Sequence, residues 1–148
     1  EISLGLVGSE MCIRDRVTLL IGVNNQYRGR PLDEYLRQFQ GLLEHAIALA
    51  GGRARRVVVL SIPDWGVTPF AVASGRDVAQ IAAQIDAFNR EARLACQRRH
   101  VAFVDVTTVS RQQGAEAAML VDDGLHPSGA MYRLWMQRAF PAARDALA

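Results

Sequence analysis

The chain alternates between compact apolar runs and longer stretches in which apolar residues recur every three or four positions. "VTLLIG" at 17–22 is a run with β-branched residues closed by Gly22, and it predicts a buried strand. "NNQYRGRP" predicts a polar loop. Leu32, Tyr35, Leu36, Phe39, Leu42, Leu43, Ala46 and Ile47 then fall on helical spacing, and Gly51 with Gly52 supplies the stop. "VVVLSI" at 57–62 predicts a second buried strand, closed by Pro63. The next stretch, 63–75, is a loop near the upper limit for an idle connection. A helix follows from about Asp77 to Arg99, with Asp77 as N-cap and Val78, Ile81, Ala82, Ile85, Phe88 and Ala92 on its inner face. "VAFVDV" at 101–106 predicts the third strand. A loop with one helical turn, the turn "DDGLHPSG" at 122–129 and a last helix running towards Leu147 complete the pattern.

Strand and helix alternate three times, which predicts an α/β domain with a parallel sheet and helices on its faces. Ligands in such sheets bind at the carboxyl ends of the strands. The loop at 23–31, the loop at 63–75 and the turn at 122–129 all fall at that edge.

With 148 residues, half of them hydrophobic, the chain can bury one core. Net charge is +2 without a long run of one sign, so no nucleic-acid partner is expected. All the basic residues are arginine, which reads as coding bias rather than a binding surface. Cys12 and Cys96 form neither a CxxC nor a metal spacing. No apolar run approaches the roughly 18 residues that span a membrane, and the stretch from Glu1 to Val7 lacks the basic leader of a signal peptide. The pattern is that of a soluble chain whose compartment and oligomeric state stay open.

Two clusters carry candidate chemistry. In "DDGLHPSG", Asp123 precedes His126 by three residues. A catalytic histidine needs one ring nitrogen facing the substrate and the other held by an acceptor that fixes its tautomer. Asp123 can be that acceptor, with Gly124 permitting the turn and Pro127 and Ser128 opening a helix. The same residues also fit a helix-capping turn with an incidental histidine. In "IGVNNQ", Asn24 lies two residues beyond the glycine that ends a strand, where its amide can donate to a developing oxyanion. Taken alone, an ordinary Asx turn, which asparagine favours strongly, fits better. Trp65 and Phe70 of the long loop either line a pocket or anchor the loop.

Together, "GVNN" after a strand, "VVVLSIPDWG" and "DGLHPSG" before a C-terminal helix resemble the SGNH, or GDSL-type, serine esterases and lipases. The resemblance covers about 17–148. It implies a flavodoxin-like three-layer α/β/α fold, truncated at the N-terminus so that about three of five strands remain. By the same resemblance Gly22 and Asn24 match the family's Gly-x-Asn-Asp block, whose asparagine completes the oxyanion hole. Asn25 stands where the family usually has aspartate. Asp123 and His126 match the Asp-x-x-His block, and Asn25 and Trp65 are candidate substrate contacts. The substrate implied is a small acyl or acetyl ester, with no cofactor and no metal.

The nucleophilic serine of that family sits in a Gly-Asp-Ser turn near the start of the domain. Only Ser3 and Ser9 come early here, and the 12 residues between Ser9 and Gly22 are too few for a βαβ unit of roughly 30 residues. "SLGLVGSEMCIRDR" resembles the conceptual translation of sequencing-adapter read-through. Residues 1–16 are therefore read as a non-native segment and 17–148 as the C-terminal part of one hydrolase domain, without its nucleophile and inactive alone. In that fold the strand ending in Gly22 has lost a neighbour, so an open apolar edge and poor solubility or dimerisation are expected. Two rivals remain. A non-catalytic flavodoxin-like binding module would need a glycine-rich phosphate loop. A metal hydrolase using Asp122, Asp123 and His126 would need a second ligand cluster.

Overall fold

The computed structural model describes residues 15–145. Residues 1–14, most of the segment read as non-native, lie outside the described residues, as do Cys12, Ser3 and Ser9. Three parallel strands, β1 (Val17–Leu19), β2 (Val57–Leu60) and β3 (Ala102–Val104), lie side by side in chain order. Val17 is in register with Val57, and Val58 with Ala102. Each strand is shorter than its apolar run. The Ser61 N–H still donates to the Val104 carbonyl of β3 at 2.9 Å, and past it the backbone leaves the ladder: the Ile62 N–H donates to Asn89 Oδ1 at 2.8 Å, not to a strand. Every residue of β2 is buried, because it has a strand on both sides and helices on both faces.

Helix α1 (Val23–Tyr27) follows β1, and α2 (Leu32–Leu49) returns the chain to β2. Helix α3 (Pro69–Ala73) and α4 (Val78–Arg98) lead to β3. Helix α5 (Thr107–Gln113) and α6 (Gly129–Asp145) complete the fold, with single 3-10 turns at Ala54–Arg56, Trp65–Val67 and Ala117–Met119. Asp77 caps α4 as expected, its carboxylate accepting from the N–H groups of Ala79 and Gln80. Three expected loops thus carry short helices. In the stretch 63–75 the cause is two caps: Asp64 accepts from the Gly66 N–H, and Thr68 accepts from the Ala71 N–H, with Pro69 at the first helical position.

The core has two parts. On one face Tyr35, Phe39 and Leu43 of α2 meet Ile81, Ile85 and Phe88 of α4 over Val57 and Val59. On the other face Met131, Trp135 and Ala139 of α6 cover Val58 and Leu60. These are the three layers of the expected architecture. No helix among the described residues is long and apolar enough to cross a membrane.

Candidate active site

The carboxyl ends of the strands converge on a cavity of about 420 Å³. Its walls come from Leu20 and Ile21 after β1, Asn24 and Tyr27 of α1, Trp65 after β2, His126, and Tyr132 and Trp135 of α6. Asn24 and His126, about a hundred positions apart in sequence, thus face one space.

The turn holding His126 builds itself. The Val121 N–H donates to the His126 carbonyl at 2.9 Å, the Ser128 N–H donates to the Met119 carbonyl at 2.9 Å, and Leu120 and Pro127 form an antiparallel bridge. Gly124 turns the chain at φ +66°. Inside this frame Asp123 Oδ1 accepts from the N–H groups of Leu125 at 2.8 Å and His126 at 2.9 Å. Its Oδ2 lies 2.5 Å from His126 Nδ1. The backbone N–H of His126, its imidazole and the Leu125 N–H together hold the Asp123 carboxyl at about 2, below its ordinary 3.8. An ionised carboxylate only accepts, so Nδ1 carries a proton and donates it in a hydrogen bond to Asp123, leaving Nε2 as the nitrogen turned away from the carboxylate. The His126 side chain is 71% exposed, so the ring is open to an incoming group.

Asn24 is set by what precedes it. Gly22 has φ +112°, and a Cβ there would lie 2.5 Å from Tyr35 Cε2 and 2.7 Å from Ile62 Cδ1. Only glycine makes this approach without displacing the buried Tyr35 ring. Helix α1 starts at once and carries Asn24, exposed, into the cavity wall. Two residues on, the buried Gln26 clamps the helix: its Oε1 accepts from Trp65 Nε1 at 2.7 Å and its Nε2 donates to Gln84 Oε1 at 2.9 Å. Trp65 is therefore both wall and anchor. Its polar atom is committed inward, and Tyr27 meets its ring edge-on at 5.3 Å between centroids. Asn25 lies outside the cavity lining; its Nδ2 donates to Gln38 Oε1 on α2 at 2.8 Å.

The four serines among the described residues are each engaged in hydrogen bonds within the fold. Ser61 is buried beneath the site, its oxygen accepting from the N–H groups of Val106 and Thr107. Ser110 reaches the cavity wall, but its hydroxyl donates to the Thr107 carbonyl and accepts from the Asp64 N–H. It belongs to α5. Ser74 and Ser128 bond to the carbonyls of Ala71 and Ala118. His45 and His100 are exposed and do not line the cavity. No cluster of three His, Cys, Asp or Glu suited to a metal occurs among the described residues.

The sequence model of the GDSL-like lipase/acylhydrolase family matches residues 8–134. The chain belongs to that family. The match begins inside the segment 1–16 and ends within α6, so it includes Gly22, Asn24, Asp123 and His126. Solved structures of similar fold include TesA, with a TM-score of 0.63 and 19% identity over 94% of this chain and 67% of that one. A variant of Axe2, an acetyl xylan esterase from Geobacillus stearothermophilus, has a TM-score of 0.63 and 18% identity over 87% of this chain and 59% of that one. LAE5, an alpha/beta hydrolase enzyme from the metagenome of Lake Arreo, Spain, has a TM-score of 0.62 and 21% identity over 90% of this chain and 61% of that one. No curated protein sequence matches this one. The GDSL-like chain thus spans about three fifths to two thirds of the proteins whose fold it shares.

Sequence reasoning missed Gln26, Met131, Tyr132 and Trp135. The spacing of Met131, Trp135 and Ala139 marks the inner face of α6 and would have found two of them. Nothing local marks Gln26, whose partners are 39 and 58 positions away.

Proposed function

We propose that this chain is the acid–base and oxyanion portion of a serine ester hydrolase acting on acyl or acetyl esters. The observation that carries the reading is the Asp123–His126 pair, open to the cavity that Asn24 also lines. A serine Oγ attacks the ester carbonyl while His126 Nε2 takes its proton. Asn24 Nδ2 donates to the oxygen as it becomes negative. The carbonyl re-forms, the alcohol leaves with the proton from His126, and a water repeats the cycle to free the acid. Asp123 fixes the ring throughout. The Trp65 ring is an apolar wall for the acyl or alcohol group, since its N–H is already used. Residues 17–148 are the C-terminal part of the hydrolase domain, residues 1–16 are not native to it, and the serine lies upstream of Val17 in the parent protein.

The test is hydrolysis of p-nitrophenyl butyrate by two chains: these 148 residues, and the same chain joined to the coding sequence that precedes Val17 in its source DNA. The first is expected to show no turnover above buffer, because triad members act as a unit. The second is expected to turn over, to lose about 10⁴-fold with His126→Ala, and to lose about 10²–10³-fold with Asn24→Ala. Turnover by the extended chain that survives His126→Ala overturns the reading.

A further inference from the structure

Helix α1 carries Asn24 but cannot hold it in place alone. It is five residues long and no side chain caps its start. So short a helix is unstable by itself, and its neighbours set its direction. Within α1 the side chains of Asn25 and Gln26 are hydrogen-bonded, the first to Gln38 and the second to Trp65 and Gln84. Among the described residues no hydrogen bond holds the Asn24 side chain, so its aim is that of the helix.

Asn25 and Gln26 fasten α1 on sides that do not line the cavity. The cavity side bears Asn24 and, three residues on and hence beside it, Tyr27. Tyr27 is held by Arg76, which lies outside the cavity lining. The Arg76 Nη1 donates to the Tyr27 carbonyl at 3.0 Å. Its guanidinium carbon lies 4.2 Å from the centre of the Tyr27 ring and 5.6 Å from the centre of a Trp65 ring. One guanidinium thus grips both the carbonyl and the ring of Tyr27, beside the indole that Gln26 already holds. A planar guanidinium can stack on a ring and donate at its edge at once, which an ammonium does not match. Arg76 is itself fixed between two helices. Gly75, at φ +68°, turns the chain after α3. The Arg76 N–H donates to Ser74 Oγ at 3.4 Å, and Asp77 caps α4 immediately after it.

We propose that Arg76 is a positioning residue: through Tyr27 it fixes the roll of α1 and so aims Asn24 at the oxygen that becomes negative. The aim at an oxyanion rests on the hydrolase reading, whereas the grip on Tyr27 does not. Because Arg76 lies outside the cavity lining, it acts through Asn24 and not on the ester. The charge that Asn24 meets develops only in the transition state, so the loss of Arg76 falls on kcat and spares KM. Misplacing a group by about 1 Å can cost about 10²-fold in rate.

The experiment has two arms. In the 148-residue chain, amide exchange followed by NMR compares the unmutated protein with Arg76→Ala and Arg76→Lys. Arg76→Ala is expected to speed exchange at the amides of Gln26, Tyr27 and Arg28 about tenfold or more and to leave those of β2 and α4 unchanged. Arg76→Lys is expected to restore their protection only in part. Unchanged exchange at those three amides, or equal acceleration throughout the molecule, overturns the proposal. In the extended chain, Arg76→Ala is expected to lower kcat for p-nitrophenyl butyrate about 10–100-fold at an unchanged KM. Added to Asn24→Ala, the same substitution is expected to change kcat by less than about twofold, since the two residues act as one unit. An undiminished loss on top of Asn24→Ala, or a raised KM with kcat kept, gives Arg76 a different role and overturns the proposal. Hydrolysis at the unmutated rate with Arg76→Ala overturns it too and leaves the hydrolase reading standing. An extended chain that hydrolyses no ester, while Arg76→Ala still loosens α1, keeps the clamp and defeats only the hydrolase reading.

Discussion

Asp123 concentrates the site's polar contacts in one carboxylate, and its depressed pKa makes them visible. A carboxyl lowered from 3.8 to about 2 contributes stability that is fully present above its ordinary value and is lost as pH falls towards 2. The Asp123 carboxyl carbon is therefore expected to titrate near 2 by NMR, with the His126 ring signals moving over the same range. Asp123→Asn is expected to abolish that transition. Gly22 gives the largest stability effect expected of one methyl group. Gly22→Ala combines a positive φ with a clash against Tyr35 and Ile62, and is expected to cost about 2–4 kcal/mol by urea denaturation. Both residues were legible in the sequence for the same reason: their chemistry is local. An aspartate three positions before a histidine, or a glycine closing an apolar run, declares itself. Asn24 was legible as a candidate only. Its meaning depends on a cavity whose other wall lies a hundred residues away.

At the scale of elements, the long helices and the order of strands followed from periodicity, because α2 and α4 repeat their apolar face over several turns. Helices α1, α3 and α5 are five to seven residues long, too short for a 3.6-residue period to show. Their caps are the readable signal. Thr68, donating to the Trp65 carbonyl and accepting from the Ala71 N–H, joins the 3-10 turn to α3. Thr68→Ala is expected to lower stability by about 1–2 kcal/mol in urea. Gln26 joins α1 to the same region. Gln26→Leu leaves the Trp65 N–H and a Gln84 carbonyl oxygen unpaired, at an expected cost of about 1–3 kcal/mol. Trp65 fluorescence is the direct check, since the indole loses its hydrogen bond.

At the scale of the molecule, protection should be graded across the sheet. The strand β2 is flanked on both sides, whereas β1 pairs only with β2 among the described residues. Amide exchange in the 148-residue chain is expected to be slowest in β2, and the β1 amides not bonded to β2 are expected to exchange orders of magnitude faster. Equal protection in both strands would show that something covers the edge. The site itself is divided between two carriages. Asp123 and His126 ride together in one hydrogen-bonded turn, fastened to α3 through the bond from the Phe70 N–H to the Gly124 carbonyl. Asn24 rides on α1, fastened to Trp65 and α4. Thermal sway of one carriage against the other leaves the alignment of acid and base untouched and alters only their reach to the oxyanion donor. The orientation of the imidazole is thus insulated from the breathing of the domain, while the gap across which an ester must fit is its adjustable dimension.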